Sequence, residues 1–192
     1  MASPGVLSRW NNAPGEVLFS GPAIQERVAE LGTQISRDFS GRSLLIVGML
    51  KGAVLFACDL IRHIDLPLKL DFISIARFGN EGRPTGIRIL KDLDSDVTSR
   101  HVLIIEDIVD TGFTTNYLLG NLRSRNPASL SLCTLLDRRA IRIIDVPVDY
   151  RGFNVGQDYV VGYGLACGEE YRQLPFIAKL ETLEGSGLED AS

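Results

Sequence analysis

The stretch Leu103-Ile104-Ile105-Glu106-Asp107-Ile108-Val109-Asp110-Thr111-Gly112-Phe113-Thr114 carries the strongest structural signal in this chain. A short apolar run opens into acids, passes a Thr-Gly turn and leads into a helix predicted to begin near Thr114. A run of this length with polar bounds suits a buried strand of a parallel sheet. Ligands of such sheets sit outside the carboxyl ends of the strands. Past the strand the stretch offers carboxylates at Glu106, Asp107 and Asp110, and a small-residue turn with hydroxyls at Thr111, Thr114 and Thr115. Backbone N–H groups of that turn, continued by the open end of a helix, make a phosphate cradle. Carboxylates beside phosphate repel it unless they hold Mg²⁺ or sugar hydroxyls, so the combination points to a phosphorylated sugar. A plain capped connection also uses Asp, Thr and Gly. Three acids beside one turn make that the weaker reading.

A chain of 192 residues fits a single domain with a sizeable core. Its 45% hydrophobic and 23% charged content match an ordinary globular protein. The net charge of −4 gives no electrostatic footprint for nucleic acid, so no nucleic-acid partner is expected. No apolar run approaches the roughly 20 residues of a membrane span. Residues 1–15 lack the charged start and apolar centre of a signal peptide, and a cytoplasmic address is expected. Cys58, Cys133 and Cys167 are odd in number and unclustered, which fits reduced thiols.

Working outward toward the N-terminus, residues 1–19 carry Pro4, Asn11, Asn12, Pro14 and Gly15, a composition of turns and loose ends. An arm over about 1–15 is expected, with Trp10 pinning it to the body. Ser20 caps a predicted helix to about Phe39, with Ile24, Val28, Leu31, Ile35 and Phe39 on one face. Residues 43–50 form a second apolar strand ending in Leu50-Lys51-Gly52-Ala53, followed by an apolar helix over 54–64. Residues 68–76 alternate into a third strand. Arg77 to Leu93 holds Gly79, Asn80, Gly82, Pro84 and Gly86 and reads as a long functional loop.

Toward the C-terminus, a helix to about Ser124 leads to a strand over 129–136, which delivers Asp137-Arg138-Arg139 at its end. Residues 148–155 and 159–163 read as short strands, and 164–175 as a loop with Glu169, Glu170 and Arg172. A closing strand over 176–180 precedes a flexible tail over 182–192. No repeat or linker divides the chain, so residues 1–192 are one domain.

The order acid-acid-apolar-apolar-Asp-Thr-Gly within Val102 to Thr114 resembles the ribose-phosphate signature of the phosphoribosyltransferases. Tyr159-Val160-Val161-Gly162-Tyr163-Gly164-Leu165 and Tyr171-Arg172-Gln173-Leu174-Pro175 look like the C-terminal signature of the bacterial hypoxanthine(-guanine) branch. The resemblance covers about residues 16–182. It implies an α/β fold of type I, a central mostly parallel sheet flanked by helices, with a small hood subdomain in which 77–93 is the mobile part. It implies transfer of a phosphoribosyl group from 5-phosphoribosyl 1-pyrophosphate (PRPP) to a 6-oxopurine, in purine salvage. Thr111, Gly112, Phe113 and Thr114 would hold the 5′-phosphate, and Glu106 and Asp107 the ribose hydroxyls and Mg²⁺. Asp110 would be the general base at purine N7; its other reading is a helix N-cap. Leu50, Lys51, Gly52, Arg77 and Arg172 would hold pyrophosphate, with the peptide before Lys51 cis as in the family. Arg138, Tyr159 and Val160 would meet the purine, Tyr159 by stacking. The family commonly forms homodimers or homotetramers.

The sequence departs from the family at three places. Arg138 stands where Lys is usual, and its planar guanidinium still donates to a 6-oxo group while rejecting the 6-amino group of adenine. Arg77-Phe78 replaces a Ser-Tyr pair, losing a hydroxyl and gaining a cation. Ala166 replaces an Asp that helps hold a second Mg²⁺, and Glu169 or Glu170 is the substitute available in sequence. These changes leave a second class open, a homologue that binds PRPP or nucleotide as a regulator without turnover.

Overall fold

The apolar run of the opening stretch becomes β5 (His101–Val109), and it is apolar throughout because both of its faces are covered. Leu103 and Ile105 point into one core with Leu44 and Ile46 of β2 (Leu44–Leu50), while Val102 and Ile104 point into another with Leu45 and Val47. The first core lies under α1 (Gly21–Asp38) and α2 (Val54–Ile61), and the second under α3 (Phe113–Arg123). The computed structural model describes residues 14–80 and 83–180. Trp10, most of the expected arm and the expected tail over 182–192 lie outside them.

Six strands form the main sheet in the order β4-β3-β2-β5-β6-β7, where β3 is Leu68–Asn80, β4 Arg83–Lys91, β6 Ser129–Asp137 and β7 Tyr150–Asn154. All neighbours are parallel except the β3–β4 pair. From β2 the chain proceeds outward to β3, whereas from β5 it proceeds the opposite way to β6. The crevice at this reversal, above the ends of β2 and β5, is where open α/β sheets bind ligands. A second sheet, β1-β9-β8, joins β1 (Pro14–Phe19), β9 (Ile177–Leu180) and β8 (Val160–Val161). Phe19 of β1 stacks on Phe153 of β7 with ring centroids 4.2 Å apart, which fixes the small sheet against the large one.

The expected helix cap holds: Ala23 N–H donates to Ser20 Oγ at 3.4 Å, and the buried stripe is Ile24, Val28, Leu31 and Ile35. Two readings are corrected. Residues 14–19 are a strand, not loose ends; Pro14 opens it, a position that needs no ladder N–H. The segment 77–93 is largely a hairpin arm, not an irregular loop, with Arg77 paired to Ile87 and Ile75 to Ile89. Its outer strand β4 is a sheet edge, where proline and glycine are tolerated. The small subdomain is therefore built from the two ends of the described chain rather than from 77–93.

Candidate active site

Glu106 and Asp107 belong to β5 itself, so the side chains of these neighbours leave opposite faces of the sheet. Glu106 is fully buried on the α3 side, where Thr115 Oγ1 donates to its Oε1 at 3.4 Å and its Oε2 has no hydrogen-bond partner. Asp107 lies on the other side against Gly52. A Cβ on Gly52 would stand 1.6 Å from Asp107 Oδ2, so only glycine lets the loop after β2 meet this carboxylate. The Leu50–Lys51 peptide is cis, as the resemblance implied.

Beyond β5, Asp110 and Thr111 lead to Gly112, whose φ of +88° turns the chain into α3. A side chain there would be strained and would place its Cβ 2.2 Å from the Ile144 carbonyl oxygen. Gly112, not Asp110, is the residue at the helix start, and no side chain caps it. That removes the N-cap alternative for Asp110. Thr111 Oγ1 is buried without a hydrogen-bond partner, while Thr114 Oγ1 accepts from Arg77 Nε at 2.8 Å. The hairpin arm thus brings Arg77 to the first turn of α3, where Phe113 is 42% exposed.

A cleft of about 200 Å³ is lined by Asp107, Asp110, Arg138, Tyr159, Val160 and Ala166, with Arg172 among its further walls. Arg138, buried at the end of β6, places Nη1 3.2 Å from Asp110 Oδ1, an ion pair without hydrogen-bond alignment. Its Nη2 donates to the Asp158 carbonyl at 2.8 Å, and its guanidinium stands 5.9 Å from the Tyr159 ring centroid. Lys51 and Arg172 meet one group: Glu169 accepts from Lys51 Nζ at 2.7 Å through Oε2 and from Arg172 Nη2 at 3.2 Å through Oε1. Arg172 Nη1 also donates to the Gly164 carbonyl at 2.7 Å.

Burial pushes the Glu106 carboxyl well above its ordinary range, with the Asp107 charge adding to the shift. Burial raises Asp107 to about 6. Asp110 is raised too, its desolvation outweighing the pull of Arg138, Arg77 and Arg142. Three carboxyls that resist ionisation beside one turn make a site that gains from a cation. Among the described residues no group of three or more His, Cys, Asp or Glu is arranged to hold a metal ion by itself. Mg²⁺ usually takes one or two carboxylates and completes its shell with substrate oxygens and water. Asp107, which lines the cleft, fits that kind of site, whereas Glu106, fully buried on the opposite face of β5, is not brought to the cleft with it.

Sequence reasoning missed Asp137 and Arg142. Asp137, fully buried, pairs with Arg142 and with Arg151, whose Nε lies 2.6 Å from its Oδ2. The Asp137-Arg138-Arg139 run pointed to this place, but Arg142 follows a short 3₁₀ turn and has no motif of its own.

The chain matches the phosphoribosyl transferase domain family over residues 15–167. It is 45% identical over 178 residues to the hypoxanthine-guanine phosphoribosyltransferase of Mycobacterium tuberculosis, covering 88% of each chain. It is 41% identical over 170 residues to the hypoxanthine phosphoribosyltransferase of Haemophilus influenzae, covering 86% of this chain and 94% of that one. The crystal structure of a hypoxanthine phosphoribosyltransferase from Staphylococcus aureus superposes with a TM-score of 0.85 at 40% identity, over 88% of this chain and 92% of that one. With a mostly parallel sheet, adjacent carboxylates in β5 and a Thr-Gly turn opening α3, the chain belongs to the phosphoribosyltransferase family.

Proposed function

We propose that the protein transfers the phosphoribosyl group of PRPP to a 6-oxopurine, hypoxanthine or guanine or both, releasing pyrophosphate, as a purine-salvage enzyme. The observation that carries this reading is the position of Asp110. It lies in the cleft between the Thr111–Gly112 turn and Arg138, with a raised carboxyl, so phosphate and purine partners flank a base.

The residues divide the reaction as follows. N–H groups and hydroxyls at Thr111, Gly112, Phe113 and Thr114 take the 5′-phosphate. Asp107 faces the ribose hydroxyls from the cleft wall, with Glu106 buried behind it on the other face of β5, and its negative charge favours the positive charge that grows at C1′ as its bond to pyrophosphate breaks. Purine N9 forms the new bond to C1′ while the N7 proton passes to Asp110. Arg138 donates to the 6-oxo group, and Tyr159 and the main chain at Val160 bound the base. Leu50, Lys51, Gly52, Arg77 and Arg172 receive the leaving pyrophosphate. Mg²⁺ held at Asp107 would neutralise charge on the leaving group.

The two relatives named above are phosphoribosyltransferases, which favours turnover over the regulator alternative. A homodimer or homotetramer in the cytoplasm is the accompanying proposal; among the described residues no helix is long and apolar enough to cross a membrane. A steady-state assay with PRPP, Mg²⁺ and each of hypoxanthine, guanine and adenine tests the reading. Nucleotide and pyrophosphate should form with the 6-oxopurines and not with adenine. Nucleotide binding without turnover of any purine would favour the regulator.

A further inference from the structure

Arg142 does not line the cleft, yet it is tied to the turn that the phosphate would occupy. Its side chain is only 8% exposed. Nε donates to the Asp110 carbonyl at 2.7 Å, Nη2 donates to the Val109 carbonyl at 2.9 Å, and the same Nη2 pairs with Asp137 Oδ1. The next two residues continue the pattern, because Ile143 N–H and Ile144 N–H both donate to the Thr111 carbonyl, at 3.0 and 2.9 Å. Three successive carbonyls, those of Val109, Asp110 and Thr111, therefore meet segment 142–144; the Val109 carbonyl also accepts from Arg138 N–H at 3.0 Å and the Thr111 carbonyl is met by main-chain N–H groups, so the Asp110 carbonyl is the one that the Arg142 side chain holds by itself.

The consequence follows from peptide geometry. The cis bond among the described residues is Leu50–Lys51, so these peptides are trans. In a trans peptide the C=O and the following N–H point in opposite directions. Holding those three carbonyls toward 142–144 turns the N–H groups of Asp110, Thr111 and Gly112 away from it, at the place where the phosphate cradle is needed. We propose that Arg142 is a positioning residue for phosphate recognition: its side chain holds the Asp110 carbonyl and shares the Val109 carbonyl, and with the main chain of 143–144 on Thr111 it sets the N–H groups of this turn toward the 5′-phosphate. The proposal rests on the phosphoribosyl reading of this turn.

Arginine suits the task because its planar fork carries several donors at fixed angles and reaches two carbonyls and a carboxylate together. Lysine, a point charge, cannot span them in one geometry. Losing Arg142 does not strand Asp137 as a buried lone charge, because Arg151 Nε remains 2.6 Å from Oδ2 and Arg139 Nε 3.7 Å from it. A folded variant is thus expected.

The test compares Arg142→Met and Arg142→Lys with the parent. Calorimetry with inosine 5′-monophosphate measures phosphate-dependent binding, and inhibition by inorganic pyrophosphate probes the other subsite. Arg142→Met should weaken the nucleotide and raise KM for PRPP by about ten- to hundredfold, the loss expected for a charge-assisted hydrogen bond. The Ki of pyrophosphate and the KM of the purine should not change. Arg142→Lys should fall between the two and serves as the readable variant if the Met protein does not fold. The phosphorus NMR shift of bound nucleotide should move in both variants, which simple loss of stability would not cause. Unchanged nucleotide affinity, or an equal loss for nucleotide and pyrophosphate in a folded variant, would overturn the proposal. If the parent protein binds neither nucleotide nor PRPP, the phosphoribosyl reading fails first.

Discussion

At the end of β5 the groups assigned to the sugar phosphate sit on a strand end and the first turn of a helix, whereas Lys51, assigned to pyrophosphate, is a long side chain standing in solvent against an exposed Glu169. Glu106 is 0% exposed, while Lys51 and Glu169 are 67% and 66% exposed. The first region is held by sheet, helix and the Arg142 contacts; the Lys51 side chain is held by its ion pair with Glu169, which Arg172 shares. Exposed ion pairs contribute about 0–1 kcal/mol each and rearrange readily. A ligand that must stay oriented through the reaction thus meets fixed donors, and one that must leave meets donors that can swing away with it.

The strongest challenge to this contrast is Asp110→Asn. An amide keeps the shape but accepts no proton, so turnover should fall about 10²–10⁴-fold while nucleotide binding changes little. Parallel measurement of kcat and nucleotide Kd checks it, and unchanged turnover removes Asp110 from its role.

The next effect is on pH. Asp107, raised to about 6, is protonated below that value in the substrate-free protein. In the proposed assignment its charged form meets Mg²⁺ and ribose, so PRPP affinity should fall about tenfold per pH unit below 6. The sign for stability is the reverse. The native carboxyl holds its proton more tightly than the unfolded one, so the cost of its charge is absent below the unfolded value of 3.8 and complete above about 6. This group alone makes the substrate-free fold lose stability as pH rises through that window. PRPP titrations and melting curves over pH 5–8 measure both signs.

Smaller changes sharpen the leaving-group half. Glu169 joins Lys51 and Arg172 as a phosphate oxygen pair would, and neutralising it in Glu169→Gln should tighten pyrophosphate binding by up to about fivefold. Weaker binding instead would mean that Glu169 supports the metal. The smallest effect is expected from Ala166→Asp, which adds a carboxylate to the cleft wall. The Mg²⁺ dependence of activity should shift to lower concentration, with metal-free nucleotide affinity unchanged. Superimposable titrations would show that another group already serves there.

The same contrast explains what could be read from the chain. β5 and the Gly112 turn into α3 were legible because burial on both faces and a left-handed turn each demand particular residue types over consecutive positions. The α1 stripe under its Ser20 cap was legible for the same reason. β1 was not, because Pro14 and Gly15 signal a turn unless the strand's partner, far along the chain, is known. Nor was the hairpin, whose Ile87-Arg88-Ile89 alternation was outweighed by Pro84 and Gly86, harmless only at an edge. Arg142 escaped because its work is done through carbonyls that every residue possesses.

The small sheet has a consequence in time. Its central strand, β9, pairs with β1 on one side and β8 on the other, so the earliest described strand finds its partner only when the latest one has been made. At synthesis rates of about 5–20 residues per second, the ribosome holds β1 without β9 for on the order of ten seconds. Val160, which lines the cleft beside Asp110 and Arg138, sits in β8 and waits for the same event. A nascent chain should therefore complete its phosphate half before its purine half, and closure of a contact so distant in sequence should be a slow step of folding.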